Sequence, residues 1–281
     1  MFYLLNRFIQ MKILSNNDDL NEALKNVKNL GFVPTMGGLH KGHISLIKKC
    51  KKQCKNIIVS IFVNPTQFNN KKDFDTYPRR HKKDLNILKK LNVNFVYKPN
   101  VQSIYNFKRP KKIKLNKKDK ILCAKFRKGH FEGVIDVMDR LTRLIKPNKI
   151  FMGEKDFQQL ILVKKYIEKR YKTLIIPCKT IRDKNKLPFS SRNVHLNINQ
   201  LKRAGKLSQY FIKFKKKLPV RGRNINNLIN QKKAELLKLF DVRLEYLELR
   251  NKFNLKTSHT SKNSKIFLAY YINKIRLIDN F

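Results

Sequence analysis

The stretch PTMGGLHKGH, residues 34–43, decides how this chain is read. Leu30, Gly31, Phe32 and Val33 before it are an apolar run short enough for a buried strand, and Ile44, Leu46 and Ile47 after it begin an amphipathic helix. The turn between them brings Gly37, Gly38 and Gly42 to a helix N-terminus. Glycine lets backbone N–H groups approach phosphate closely, and the helix end supplies unpaired donors and a partial positive charge. His40 and His43 add side-chain donors at the same place. A plain strand-to-helix turn with two surface histidines uses the same residue types, so the rest of the chain has to decide between the two.

Working outward, residues 30–179 alternate short apolar runs with amphipathic stretches of helical length. Residues 56–63 (NIIVSIFV), 92–97, 149–152 and 173–177 read as strands, and 77–91, 131–145 and 156–170 as helices. That order predicts an α/β, Rossmann-like domain with a mostly parallel sheet, whose ligands bind beyond the carboxyl ends of the strands. Residues 108–120, with eight lysines and arginines, read as a solvated loop. After residue 180 a loop with LPFSSRN leads to helical stretches at 199–217 and 224–240 and strand-like segments at 242–249 and 265–277. We expect a catalytic domain over 1–179 and a smaller α+β lid domain over 180–281.

Composition sets bounds on partners. Lys and Arg number 65 against 19 Asp and Glu, a formal charge of +46. The excess is scattered and accompanied by Asn and Ile rather than gathered in a block or an aromatic-lined stripe, so no specific nucleic-acid partner is expected. The field should still attract anionic substrates. Cys50, Cys54, Cys123 and Cys178 follow no zinc or redox spacing. The opening MFYLLNRFIQMK is apolar but carries Arg7 and lacks a cleavage pattern, no stretch has membrane-spanning length, and Met11 is a second candidate start. A cytoplasmic location is the expectation.

Four further segments follow residues 34–43: SIFVNPTQF (60–68), RKGHFEGV (127–134), GEKDFQQ (153–159) and PFSSRN (188–193). With them in this order and spacing, the chain resembles the pantothenate synthetase (pantoate:β-alanine ligase) family of the HxGH nucleotidyltransferases. The likeness runs over residues 30–193 and returns in YLELRN (246–251) and RLIDN (276–280). It implies that ATP and pantoate give pantoyl adenylate and pyrophosphate, after which β-alanine displaces AMP. It further implies Mg²⁺ and a homodimer. His40 and His43 fit phosphate contact at the helix start, and the family's catalytic assignment falls on His43. Lys155 is a point charge for phosphate oxygens. Met36, Gly37, Gly38, Leu39, Lys41, Gly42, Gly153, Glu154, Asp156, Ile181, Phe189, Ser190, Ser191 and Arg192 complete the expected ATP site. The resemblance places pantoate on Gln67 and Gln159, neutral amides suited to its hydroxyls and carboxylate, with Asn64 shaping that pocket. Asp156 suits either Mg²⁺ or a ribose hydroxyl; Arg127 and His130 either line the cleft or cap the fold.

The chain departs from the family pattern at Lys41, where an acidic residue is usual, at Glu132 in place of Asp, and at Pro188 and Phe189 before the serines. None of these removes an expected phosphate or pantoate ligand. Two other readings compete. Class I aminoacyl-tRNA synthetases share the HxGH signature, but the chain has no sizeable tRNA-binding extension. A nucleic-acid-binding protein on a decayed enzyme fold would suit the charge, but the phosphate and amide positions are intact.

Overall fold

The computed structural model describes residues 10–106, 113–220 and 224–281. Continuous apolar runs, buried on both faces, build the strands of its first half. In chain order the elements are β1 (Lys12–Leu14), α1 (Asn17–Leu24), β2 (Leu30–Thr35), α2 (Lys41–Lys51), β3 (Asn56–Ile61), α3 (Lys71–Asp75) and α4 (His81–Lys90). There follow β4 (Phe95–Tyr97), α5 (Val101–Tyr105), α6 (Cys123–Phe126), α7 (His130–Ile145), β5 (Lys149–Gly153), α8 (Phe157–Arg170) and β6 (Leu174–Cys178). The six strands form one parallel sheet in the order β1-β4-β3-β2-β5-β6. Phe32, Ile58 and Ile150 turn to one face, against α1, α7 and α8. Val33, Val59 and Phe151, one residue further along each strand, turn to the other face with α2 and α4.

Strand order reverses between β2 and β5: the chain moves outward through β3 and β4 and then returns to the other side of β2. This is the position at which an open parallel sheet leaves a crevice beyond its carboxyl ends. The loop after β2 is residues 36–40, and the turn after β5 is Glu154–Asp156.

The second half has α9 (Ile198–Lys217), α10 (Ile225–Phe240), β7 (Arg243–Asn251), β8 (Ser264–Ile272) and β9 (Ile275–Asn280), the strands forming an antiparallel sheet in the order β7-β8-β9. Leu247, Leu249, Ile266 and Leu268 pack one face of that sheet on α9 and α10. Tyr246, Phe267, Ala269 and Ile278 pack its other face into the same core as α7 and α8. The residue-180 division expected from sequence is therefore spanned by a shared apolar core.

Several expectations are corrected. The strand expected over 265–277 is a hairpin that turns at Asn273, where φ is +52°. Asn is the residue other than Gly that most readily takes this conformation. The helix expected over 77–91 begins only at His81 and is preceded by α3. The apolar N-terminal reading falls mostly on residues 1–9, outside those described. The described residues after them give β1, the sheet's edge strand, and α1, capped by the Asn16 side chain on the Asp19 amide. The loop reading of 108–120 lies partly outside the described residues, and within the rest Lys117–Asp119 makes a 3₁₀ turn.

Candidate active site

A cavity of about 240 Å³ opens at the strand ends, between the 34–43 turn, the 153–156 turn and the loop carrying 188–192. Of the residues expected from sequence, Met36, His40, Gly42, His43, Asn64, Gln67, Gly153, Lys155, Asp156, Gln159, Ile181, Phe189, Ser190, Ser191 and Arg192 lie on its wall. Gly37, Gly38, Leu39, Lys41 and Glu154 are not among the wall residues.

The turn after β2 is built differently from the expectation. Gly37 and Gly38 have φ of +81° and +62°, a conformation that glycine adopts without strain. It aims the amides of Gly38 and Leu39 at the Asp84 carboxylate, each at 2.8 Å, while the Gly37 amide donates to Thr35 Oγ1. These N–H groups hold the turn and are not directed at a phosphate. Asp84 is 1% exposed on α4 and was absent from the sequence reading. The signal was there: Asp84 stands four residues before buried Leu88, so a carboxylate occupies the apolar stripe of a helix rich in lysine.

The two histidines cap their own helix. His40, the residue preceding α2, accepts the Gly42 amide on Nδ1 at 3.1 Å, and His43 Nδ1 accepts the His40 amide at 3.4 Å. Burial, with Lys155 nearby, lowers the pKa of His40 to about 4; burial, with His40 beside it, lowers that of His43 to about 3. Both rings are therefore neutral at pH 7. With Nδ1 accepting, the hydrogen-bond network assigns the proton to Nε2 in each, leaving Nε2–H as the remaining donor.

Cationic groups face them. Lys155 Nζ lies 3.4 Å from Asp156 Oδ1. Burial opposes ionisation of Asp156, but Lys155, followed by Arg192, outweighs it and holds the carboxyl below its ordinary pKa. Arg192 pairs with Asp73 at 3.0 Å and Ser191 shares a hydrogen bond with Tyr77 Oη at 3.0 Å, so this loop is fastened to α3 and the segment following it. Phe189 stacks near the His40 ring with Lys41 Nζ over its face, which joins two of the departures from the family pattern in one contact.

Arg127 and His130, left open by the sequence, both line the cavity. His130 meets the Gln67 carbonyl through Nδ1 at 2.7 Å, and Arg127 meets its Nε2 at 2.8 Å. Burial, then Arg127, lowers the His130 pKa to about 3, which makes it a neutral bridge with both nitrogens engaged. Burial, then Arg192 and Arg276, lowers that of Arg127 to about 10.

The amides adjoin Arg127 and His130 on the cavity wall. Asn64, 1% exposed, donates to Gln67 Oε1 at 3.1 Å and accepts from Thr66 and Tyr105, while Gln67 Nε2 donates to Met36 Sδ. Asn64 thus sets the orientation of the Gln67 amide. Its neighbour across this wall is Gly133 in α7, where an added Cβ would stand 2.3 Å from the Thr66 carbonyl oxygen. Of the paired glutamines, Gln158 is spent on the Ile121 and Asp119 carbonyls, whereas Gln159 faces the cavity.

The model of the family described as pantoate-beta-alanine ligase matches residues 12–281. The chain belongs to the pantoate-beta-alanine ligase family. It is 42% identical to the pantothenate synthetase of Francisella tularensis subsp. novicida (strain U112), over 93% of this chain and 92% of that protein. Its fold matches a crystal structure of pantothenate synthetase from Thermus thermophilus with a TM-score of 0.88 and 28% identity, covering 96% of this chain and 99% of that one. It also matches the pantoate-beta-alanine ligase from Francisella tularensis, solved with beta-gamma ATP and beta-alanine, with a TM-score of 0.80, 37% identity, and coverage of 96% and 97%. As a pantoate-beta-alanine ligase the chain is an enzyme that joins pantoate to β-alanine. Among the described residues no helix is long and apolar enough to cross a membrane.

Proposed function

We propose that this cavity performs both halves of an ATP-driven ligation. The observation that carries the reading is the make-up of its wall: neutral imidazoles and cations for phosphate together with neutral amides for pantoate. A pantoate carboxylate oxygen attacks the α-phosphorus, the bond from that phosphorus to the bridging oxygen breaks, and pyrophosphate leaves with the electron pair. The β-alanine amine then attacks the acyl carbon of pantoyl adenylate, the bond to AMP breaks, and the nitrogen releases a proton.

Phosphoryl transfer depends on charge neutralisation and in-line placement more than on a covalent nucleophile. The Nε2–H groups of His40 and His43 suit oxygens whose charge grows during transfer, and being neutral they do so without competing for the substrate carboxylate. Lys155, Arg127, Lys179 and Arg192 supply positive charge around the same space. Ser190 and Ser191 add hydroxyl donors on a loop whose neighbours Ile181 and Phe189 are joined by a backbone hydrogen bond. Gln67, oriented by Asn64, and Gln159 serve pantoate. We assign the module over 180–281 the closing role, supported by its leading loop forming one wall of the cavity.

Asp156 is the carboxylate among the described wall residues, and those residues contain no cluster of three His, Cys, Asp or Glu side chains arranged as a metal cage. One carboxylate completed by phosphate oxygens and water is a donor set that Mg²⁺ accepts. When bound with ATP, Mg²⁺ would draw charge from the phosphate oxygens. A homodimer and a cytoplasmic location are further proposals from the family likeness, the location also supported by four free, buried cysteines. Sedimentation equilibrium tests the dimer as twice 33.5 kDa.

The site assignment is tested by contrast between variants. His43→Ala should lower turnover on the order of 10²-fold with little change in pantoate affinity. Gln67→Ala should instead weaken pantoate by about 0.5–1.5 kcal/mol and ATP by less. Equal loss of both substrates in the Gln67 variant, measured by calorimetric titration, would remove Gln67 from the pantoate site.

A further inference from the structure

We propose that Asn280, in the last strand of the chain, is a positioning residue that fixes the Glu154–Asp156 turn and so aims Lys155 at its phosphate. The proposal rests on the assignment of Lys155 made above. Asn280 lies outside the main cavity and is 4% exposed. Its Nδ2 donates to the carbonyl of Glu154 at 2.8 Å and to that of Lys155 at 3.0 Å. Lys265 Nζ donates to its Oδ1 at 2.9 Å. An ammonium can only donate, so the amide oxygen must face Lys265 and the NH₂ must face the two carbonyls.

The turn that receives these bonds needs an outside anchor. Glu154–Asp156 is a single 3₁₀ turn, and neither it nor α8 behind it has a side-chain cap. The Lys155 ammonium has Asp156 as its ion-pair partner, the residue next to it in the same turn. That pair tethers the side chain to its own backbone, so where the ammonium points depends on where the backbone is held. The hold comes from the small sheet. Lys265 approaches the Glu154 carboxylate at 4.0 Å, and the Phe157 ring meets Phe267 edge-on.

Asn280 is itself braced. Arg182 forks onto the neighbouring Asp279 carboxylate at 2.7 and 2.8 Å and also donates to the Asn280 carbonyl at 3.0 Å. Ser208 of α9 adds a hydrogen bond to Asp279. Arg182 directly follows Ile181 of the cavity wall. One continuous set of polar contacts thus joins the 181–192 loop, the end of β9 and the Lys155 turn, and Asn280 is its last member before the site.

Asn280→Asp tests this. It keeps the shape and the oxygen facing Lys265 but places an oxygen against two carbonyl oxygens. Pantoate-dependent pyrophosphate exchange into ATP should lose on the order of 10- to 100-fold in turnover, the scale of a small misplacement at a transfer site. The pantoate KM should stay within about twofold, as expected when only the transition state loses a contact. Asn280→Ala, which introduces no charge, should show the same division with a smaller stability loss. Leu236→Ala, a core truncation in α10, should lower the melting temperature and leave turnover per folded molecule unchanged. In a Lys155→Ala background, Asn280→Asp should cost little further turnover, because it acts through Lys155. Multiplicative losses in the double variant, or normal turnover in both Asn280 variants beside a deficient Lys155→Ala, would overturn the inference alone. Normal turnover in Lys155→Ala would overturn the Lys155 assignment and this inference with it.

Discussion

His40 and His43 line the cavity while Nδ1 of each caps the helix they open, which leaves Nε2–H as the remaining donor. The arrangement works only while the rings are neutral, and their lowered pKa values, like that of His130, keep them so. The consequence for stability has a definite sign. A histidine whose folded pKa lies below 6.5 lets the unfolded chain bind protons that the folded chain refuses. Its contribution is whole above pH 6.5 and is lost as pH falls from there toward the folded value of about 3 to 4. Urea unfolding at pH 7, 6 and 5 should show stability falling by up to about 1.4 kcal/mol per pH unit for each such histidine. His43→Gln removes one titrating group and should flatten that slope by its share; an unchanged slope would mean that His43 is not held neutral.

At the scale of elements, the site depends on how closely α7 approaches the 3₁₀ turn Pro65–Gln67. Gly133 permits the approach. Gly133→Ala favours the helix by about 1 kcal/mol on intrinsic propensity, yet its Cβ would meet the Thr66 carbonyl oxygen at 2.3 Å. The clash should win, costing a net ~1–3 kcal/mol and weakening pantoate through displaced Gln67. Thermal unfolding beside pantoate titration checks both effects, and a more stable variant with normal affinity would contradict the packing argument. Gly133 lies inside RKGHFEGV, but its neighbour is about 70 positions away in sequence, beyond what local pattern reports. The strands and long helices were legible because short apolar runs and helical spacing are local. So were the cavity-facing histidines, Lys155 and Gln159, because their motifs sit at strand ends. Asp84 and Asn280 were not read as parts of the site, since each acts on a backbone group remote in sequence. The β8–β9 turn escaped because Asn273 reverses the chain without a glycine while apolar residues continue on both sides.

For the whole molecule, +46 of formal charge has to be reconciled with a site for small anions. Arg127, Lys155, Lys179 and Arg192 line the cavity against one carboxylate, so part of the excess serves the site and the remainder is spread over the chain. We expect RNA binding that is weak, without sequence preference and steeply salt-dependent, in the ~10⁻⁴ to 10⁻⁶ M range at physiological salt. Filter binding across a salt series would show otherwise if tight, RNA-selective retention persisted near 0.15 M, where the Debye length is only ~8 Å. If this one cavity activates pantoate as an adenylate, pyrophosphate must return to ATP before any amine is present. The most direct measurement is exchange of labelled pyrophosphate into ATP by the purified enzyme without β-alanine, with pantoate, a panel of amino acids, or no acceptor added. Exchange is expected with pantoate and with nothing else in that set; exchange driven by an amino acid, or equal exchange without any acceptor, would contradict adenylate formation from pantoate in this cavity.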